Sequence, residues 1–272
     1  MAVGTVNNPT AFSVYSNYSS SSTSLQKSMS RLSSGVKSVV DDGAGVGISE
    51  RMRSQADSTS MARNNVENAI SVLQTADGWM QEVNDTLSRM HELAIESNDA
   101  TKTDTDRTNI NAEFGQLQEE ITRIVSTAAK FNGKNLLDGT MNTATQVGAD
   151  SGQTITLKVD SLASVTQMIS NASGGVATAS AAVDQISKLQ TQIDNVSKAR
   201  ASVGGLQSRF EHTRSGLLTY EDNIRAAESK VRDVDMARES SEMTKSQILT
   251  QVGNSMLAQA NQLPQSVLKL LG

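Results

Sequence analysis

Apolar residues recur along most of this chain at alternating steps of three and four, the spacing of a single helix face. Near the start the row reads Tyr15, Tyr18, Ser22, Leu25, Met29, Leu32, Val36 and Val39, the seam of a coiled coil. Gly35 and the Asp41-Asp42-Gly43 run interrupt it, and either aspartate can cap the helix that follows. From Ile48 a second row passes through Met52, Ala56, Thr59, Ala62, Val66, Ile70, Leu73, Ala76, Met80, Val83, Leu87, Met90 and Ala94. About fifty helical residues at about 1.5 Å each make a rod of roughly 75 Å, which the polar stretch from Asn98 to Asp106 ends.

A shorter helix follows with Ile110, Phe114, Leu117, Ile121, Ile124 and Ala128 on one face. Residues 131–139, FNGKNLLDG, form a glycine-punctuated turn. Val147, the turn Asp150-Ser151-Gly152 and then Ile155, Leu157 and Val159 in alternation predict a β-hairpin, placed at the far end of the rod. Residues 161–180 are small and polar, with a loop at Gly174-Gly175. A second long helix returns through Val183, Ile186, Leu189, Ile193, Val196, Ala199, Val203, Leu206, Phe210, Leu217, Tyr220, Ile224, Ala227, Val231 and Val234. The last row is Leu249, Val252, Met256, Ala260, Leu263, Val267 and Leu271. The predicted fold is therefore mainly α: a long antiparallel helical bundle or coiled coil, one small β-hairpin at its far end, both termini together.

Charge changes this picture at the two ends. Residues 1–40 carry only Lys27, Arg31 and Lys37, and residues 246–272 only Lys269. A helix with an apolar stripe and no charge on its remaining surface is poorly suited to face water alone. Both ends are therefore expected to be buried in something larger, with the seam formed by Tyr18, Leu25, Met29, Leu32, Val36, Leu249, Val252, Met256, Leu263, Val267 and Leu271. Composition supports a rod: aromatics are 3%, and Pro9 and Pro264 are the two prolines, so residues 10–263 hold no obligatory helix breaker.

Candidate chemistry adds little. With no cysteine, thiolate metal sites, disulfides and cysteine nucleophiles are excluded. The net charge of −5 without a basic block argues against nucleic-acid binding. No apolar run reaches the ~18 residues of a membrane span, and MAVGTVNNPT does not read as a cleaved signal. His91-Glu92 begins like a zinc-protease helix, but Ile95 stands where a second histidine is needed. Asp104 and Asp106 hint at a calcium loop, but Asn109 and Gly115 occupy its glycine and glutamate positions, so a helix cap is the better reading. Gly43-Ala44-Gly45-Val46-Gly47 follows no strand and leads to no phosphate-binding lysine, so it reads as a flexible joint between two helices. No catalytic residue, metal ligand or cofactor is expected.

Long motifs then resemble one family. RLSSG (31–35), DDGAGVGIS (41–49), LQTADGWMQEVNDTLSRMHELAIES (73–97), DRTNINAEFGQLQEEITRI (106–124), KFNGKNLLDG (130–139), QVGADSGQTITL (146–157), AAESKVRDVDMARES (226–240) and MLAQANQLPQSVLKLL (256–271) follow in order the pattern of bacterial flagellins. The resemblance implies a subunit of the extracellular flagellar filament, self-assembled from copies of this chain for swimming. It implies a terminal coiled-coil domain in the inner core (1–41 with 235–272) and a helical rod domain in the outer core (42–234, hairpin near 144–160). Residues 161–182 stand where many members carry large outer domains. The terminal helices would fold on polymerisation, after export through the flagellar type III apparatus without signal cleavage. An export chaperone, a cap and junction proteins are the implied partners. A host Toll-like receptor would contact Arg89, Leu93 and Glu113, although His91 and Leu117 stand where receptor-active members tend to have arginine. The linker Val36 to Val40 is shorter than in the usual pattern. Rival readings are a hook–filament junction protein and, from another class, a cytoplasmic helical-hairpin signalling protein.

Overall fold

The computed structural model describes residues 9–170 and 175–271, with side chains to residue 168 in the first stretch and residue 262 in the last. Its elements in order are α1 (Pro9–Ser34), α2 (Gly43–Ser97), α3 (Asp104–Arg123), a π turn (Ile124–Ala128), β1 (Lys130–Phe131), β2 (Lys134–Asn135), β3 (Asn142–Gln146), β4 (Thr154–Lys158), α4 (Ala163–Ser170), α5 (Ala179–Arg232) and α6 (Met236–Leu271). Two compact units divide the chain: Met1–Ser54 with Asn223–Gly272, and Gln55–Asp222. The helix breaks at 35–42 and 233–235 lie outside those borders, nearer the chain ends.

The unit Gln55–Asp222 holds the large core. Every α2 row position from Ala56 to Ala94 is buried, and Ala69, Val72, Thr86, Leu93 and Ser97 add a second buried row beside it. The widened stripe lets α2 meet two neighbours. Arg200 of α5 donates to Asp77 at 2.8 Å and to Gln81, while Gln55 donates to Tyr220 at 2.6 Å, so α5 runs antiparallel to α2. Arg89 pairs with Glu113 at 2.9 Å and Arg107 donates to the Ser97 carbonyl at 2.9 Å, so α3 is antiparallel to α2 as well.

That return by α3 moves the hairpin from its expected place. Twenty residues of α3 and five of the π turn carry the chain roughly 37 Å back along α2. The Asn65 amide then faces the Gln146 carbonyl at 3.5 Å, so the β3–β4 hairpin lies against the flank of α2 and not beyond its C-terminal end. In the chain it stands where alternation predicts, with Ile155, Leu157 and Val159 buried and Thr154, Thr156 and Lys158 exposed.

Other departures have local causes. Asn132 and Gly133 both take positive φ, 48° and 78°, so FNGK is a two-residue hairpin joining β1 and β2 and not a bare turn. The small, polar stretch 161–180, for which no element is predicted, contains α4: Ser161 caps it, its Oγ accepting the Ala163 N–H, and Leu162 and Val165 are buried. Gly175 (φ 52°) brings the backbone onto Asn111, whose Oδ1 accepts the Val176 N–H at 2.8 Å; a Cβ there would overlap that oxygen. At the start of α5 the seam is Ala182, Gln185, Leu189 and Gln192, which leaves Val183 exposed and Ile186 and Ile193 half-buried. Glutamines supply the buried row there, so hydrophobicity alone picks the neighbouring one.

Asp106 serves the start of α3 by a capping box: the Thr103 hydroxyl accepts the Asp106 N–H, and the Asp106 carboxylate accepts the Thr103 N–H at 2.9 Å. The glycine run 43–47, read as a flexible joint, is the first turn of α2. Asp42 Oδ1 accepts the Gly45 N–H at 2.8 Å and caps it.

Candidate assembly surface

Within the unit formed by the chain ends, α1 and α6 pack along one another in opposite directions. Arg31 reaches Glu239 at 3.5 Å, and a Cβ on Gly253 would lie 3.2 Å from the Tyr18 ring. The α1 side of this seam is Ala11, Val14, Tyr18, Ser21, Leu25, Ser28 and Leu32. The α6 side is Glu239, Met243, Ser246, Thr250, Gly253, Leu257 and Ala260. Steps of three and four appear on both, as a coiled coil requires.

The residue types are unusual for such a seam. Among the described residues, the buried residues of α1 and α6 are Ser28, Glu239, Ser246 and Ala260. No large apolar side chain of either helix is among them. Phe12, Tyr15, Met29, Ile248, Leu249, Val252 and Met256 are instead exposed, with Met256 at 52% and Phe12 at 76%. The row expected from sequence therefore splits. Tyr18, Leu25, Leu32 and Val36 are half-buried, Met29, Leu249, Val252 and Met256 face outward, and the side chains of Leu263, Val267 and Leu271 lie outside the described residues. The α6 residues in the pair are those next to the apolar ones, shifted by one position.

A polar joint holds the inner ends of these helices. Gly35 takes φ 73°, the left-handed turn that ends α1, and the strand-like bridge Val36–Asp233 follows. The Lys37 N–H donates to the Arg232 carbonyl at 2.9 Å and the Val234 N–H to the Gly35 carbonyl at 3.0 Å. Asp235 Oδ1 accepts the N–H groups of Ala237 and Arg238, capping α6. Asp41 accepts from the Arg31 guanidinium at 3.0 Å and from the Ser38 hydroxyl at 2.8 Å. A cleft of about 410 Å³ opens beside it, lined by Arg31, Lys37, Asp233, Val234, Asp235, Arg238, Glu239 and Glu242. No pattern of single-sequence periodicity flags this network. Its one signal is the gathering of opposite charges at three helix ends.

Hydrogen bonds from Arg31 and then Ser38 hold the Asp41 carboxyl well below the usual carboxylate range. A carboxylate whose folded pKa is depressed stabilises the fold above its unfolded value of about 3.9, and that stabilisation is lost as pH falls below it. We expect the joint to loosen below about pH 4. Asp41→Asn should weaken it at neutral pH and flatten the acid dependence, read from amide exchange at Ser38 and Lys37 across the titration.

The residues expected to meet a receptor do not share one surface. Arg89 is exposed and bonded to Glu113 at 2.9 Å and Glu92 at 3.2 Å. Leu93 is 1% exposed. It belongs to the second α2 row, on the side where α3 packs, and is a core residue.

A family model described as the bacterial flagellin N-terminal helical region matches residues 6–142, and one described as the bacterial flagellin C-terminal helical region matches residues 186–271. Flagellin of Halalkalibacterium halodurans is 44% identical, covering 90% of this chain and 91% of its own length. Flagellin of Bacillus subtilis is 38% identical over 97% and 98%. The crystal structure of Bacillus cereus flagellin superposes with a TM-score of 0.52 at 29% identity, covering 57% of this chain and 88% of that one.

Proposed function

The chain belongs to the bacterial flagellin family, and from that premise we propose how it works as a structural subunit of the flagellar filament. It is not an enzyme: its functional site is a set of packing surfaces. Residues 1–41 with 235–272 form the inner filament core and residues 42–234 the outer core. The terminal helices reach their final packing only when copies of the chain join.

One observation carries this reading: α1 and α6 fully bury no large apolar side chain between them among the described residues, and they turn eight outward, Met236 among them. Ordering the backbone costs about 1–2 kcal/mol per residue. A seam in which Val14, Tyr18, Leu25, Leu32, Met243 and Leu257 stay only half-buried offsets just part of that, whereas copies of the same chain can cover the outward rows. The segments from Pro9 to Gln26 and from Ser246 to Leu268 contain no charge, so covering them strands no ion. Weak order in the free ends also suits passage of an unfolded chain through an export channel without signal cleavage, handed over by a chaperone and placed under a cap. The junction-protein and signalling-hairpin readings are not favoured, because matches to flagellins extend over nearly their whole length. A Toll-like receptor contact on this chain would rest on Arg89 and Glu113 without Leu93.

The test is electron microscopy of purified chain after a polymerisation trial in a salting-out anion, which strengthens apolar burial. Filaments are expected. Persistently monomeric or amorphous material across such conditions would refute the subunit reading.

A further inference from the structure

Sulfur chemistry in this chain falls on methionine alone, since it has eleven methionines and no cysteine. The fold sorts them by access. Met80 and Met90 are fully enclosed in the core of the Gln55–Asp222 unit, and Met141 is buried there too. Met29, Met61, Met236 and Met256 are exposed over half of their surface or more. A thioether that water reaches is also reached by a small oxidant, whereas one inside a close-packed core is shielded. What oxidation does then depends on the helix neighbours three and four positions away. Met61 stands among Asp57, Asn64 and Asn65, and Met236 lies beside Asp235 at the polar joint, so a more polar side chain suits either surface. Met256 is flanked instead by Val252, Gly253 and Ala260, and Met29 by Leu25 and Leu32. These two thioethers belong to uncharged, largely apolar rows.

Resting on the filament reading above, which places those rows under another copy, we propose that Met256, together with Met29, is an oxidation site. Through it a peroxide stops free subunits from joining and leaves formed polymer intact. The sulfur lone pair attacks one peroxide oxygen, and an S–O bond forms as the O–O bond breaks. The departing hydroxide takes the proton of the transferred oxygen and leaves as water. Sulfur loses two electrons and the peroxide gains them. The sulfoxide carries a strong acceptor oxygen on a side chain that was apolar. In the free subunit that oxygen points into water, so the fold of the monomer is unaffected. Under another copy it gives up its water, and the apolar row supplies no donor in return. Coverage also acts the other way, because a thioether already beneath a neighbouring copy is out of reach of peroxide.

The test exposes free subunit and finished filament to the same dose of hydrogen peroxide and reads sulfoxide at each methionine by peptide mass spectrometry. Met29 and Met256 should oxidise at least about tenfold more slowly in the filament, while Met80 and Met90 stay reduced in both states. Oxidised subunit with an unchanged thermal melt should give at least about tenfold less polymer. Met29→Leu/Met256→Leu keeps the apolar rows without the thioethers and should polymerise normally after the same treatment. Met61→Leu/Met236→Leu should remain as sensitive as the parent, and methionine sulfoxide reductases should restore growth of oxidised parent. Normal polymer yield with both positions fully oxidised would overturn the proposal. So would equal sensitivity of Met29→Leu/Met256→Leu and the parent, or equal oxidation rates in subunit and filament. If untreated chain forms no filament, it is the subunit reading that fails.

Discussion

Met256→Asp leaves the free chain folded and stops filament growth. The side chain is half-exposed in the structure, on the outward row of α6, and exposed substitutions of this kind change stability by about 0.5 kcal/mol or less. On the proposed reading, the same position is covered by another copy in the filament. An unpaired carboxylate buried there costs several kcal/mol per subunit. Each 1.4 kcal/mol is tenfold in an equilibrium constant, so the critical concentration should rise more than about a hundredfold. Met256→Leu, which keeps volume and polarity, should polymerise nearly as the parent does. Thermal melts of the monomer together with sedimentation of polymer separate the two effects. An aspartate variant that grows filaments normally would show that this row stays in water.

Phe210→Ala should produce the opposite phenotype. Phe210 is fully buried in the core of the Gln55–Asp222 unit. Truncating a buried phenylalanine costs about 3–5 kcal/mol through lost transfer energy and the cavity left behind. For a unit of this size each kcal/mol lowers the melting midpoint by about 2–4 °C, so a loss of roughly 10 °C is expected in the monomer. At a temperature where the variant is still folded, the rows on α1 and α6 are untouched and filaments should form. Tyr15→Ala provides the contrast: near-normal monomer melting and weakened growth. Circular dichroism melts of the two variants, each with its polymer yield, check this division of labour.

How much of this was legible in the sequence depended on where packing decides burial. The α2 row from Ala56 to Ala94 is read correctly because Leu73, Met80, Leu87 and Met90 are both apolar and inside. The β3–β4 hairpin is legible because Ile155, Leu157 and Val159 alternate across one buried face. At the ends of the chain the same logic misleads about detail. Leu249, Val252 and Met256 define the strongest periodic row, yet within one copy the seam uses Thr250, Gly253 and Leu257. Periodicity identifies apolar rows; it does not say which of them packs within one copy. The lack of charge in those segments is a separate signal, since it depends on the whole surface of the helix. The place of the hairpin in space was not legible, because it depends on α3 folding back along α2, which Arg89, Glu113 and Arg107 reveal only in three dimensions. The joint of Arg31, Asp41 and Glu239 was hidden for the same reason.

If the terminal helices complete their packing only in the polymer, amide hydrogen exchange resolved along the chain must differ between free subunit and filament. Residues 9–34 and 236–262 should be weakly protected in the free subunit and protected by orders of magnitude more in the filament, with strong protection of the Gln55–Asp222 core in both. Equal protection of α1 and α6 in the two states would contradict it.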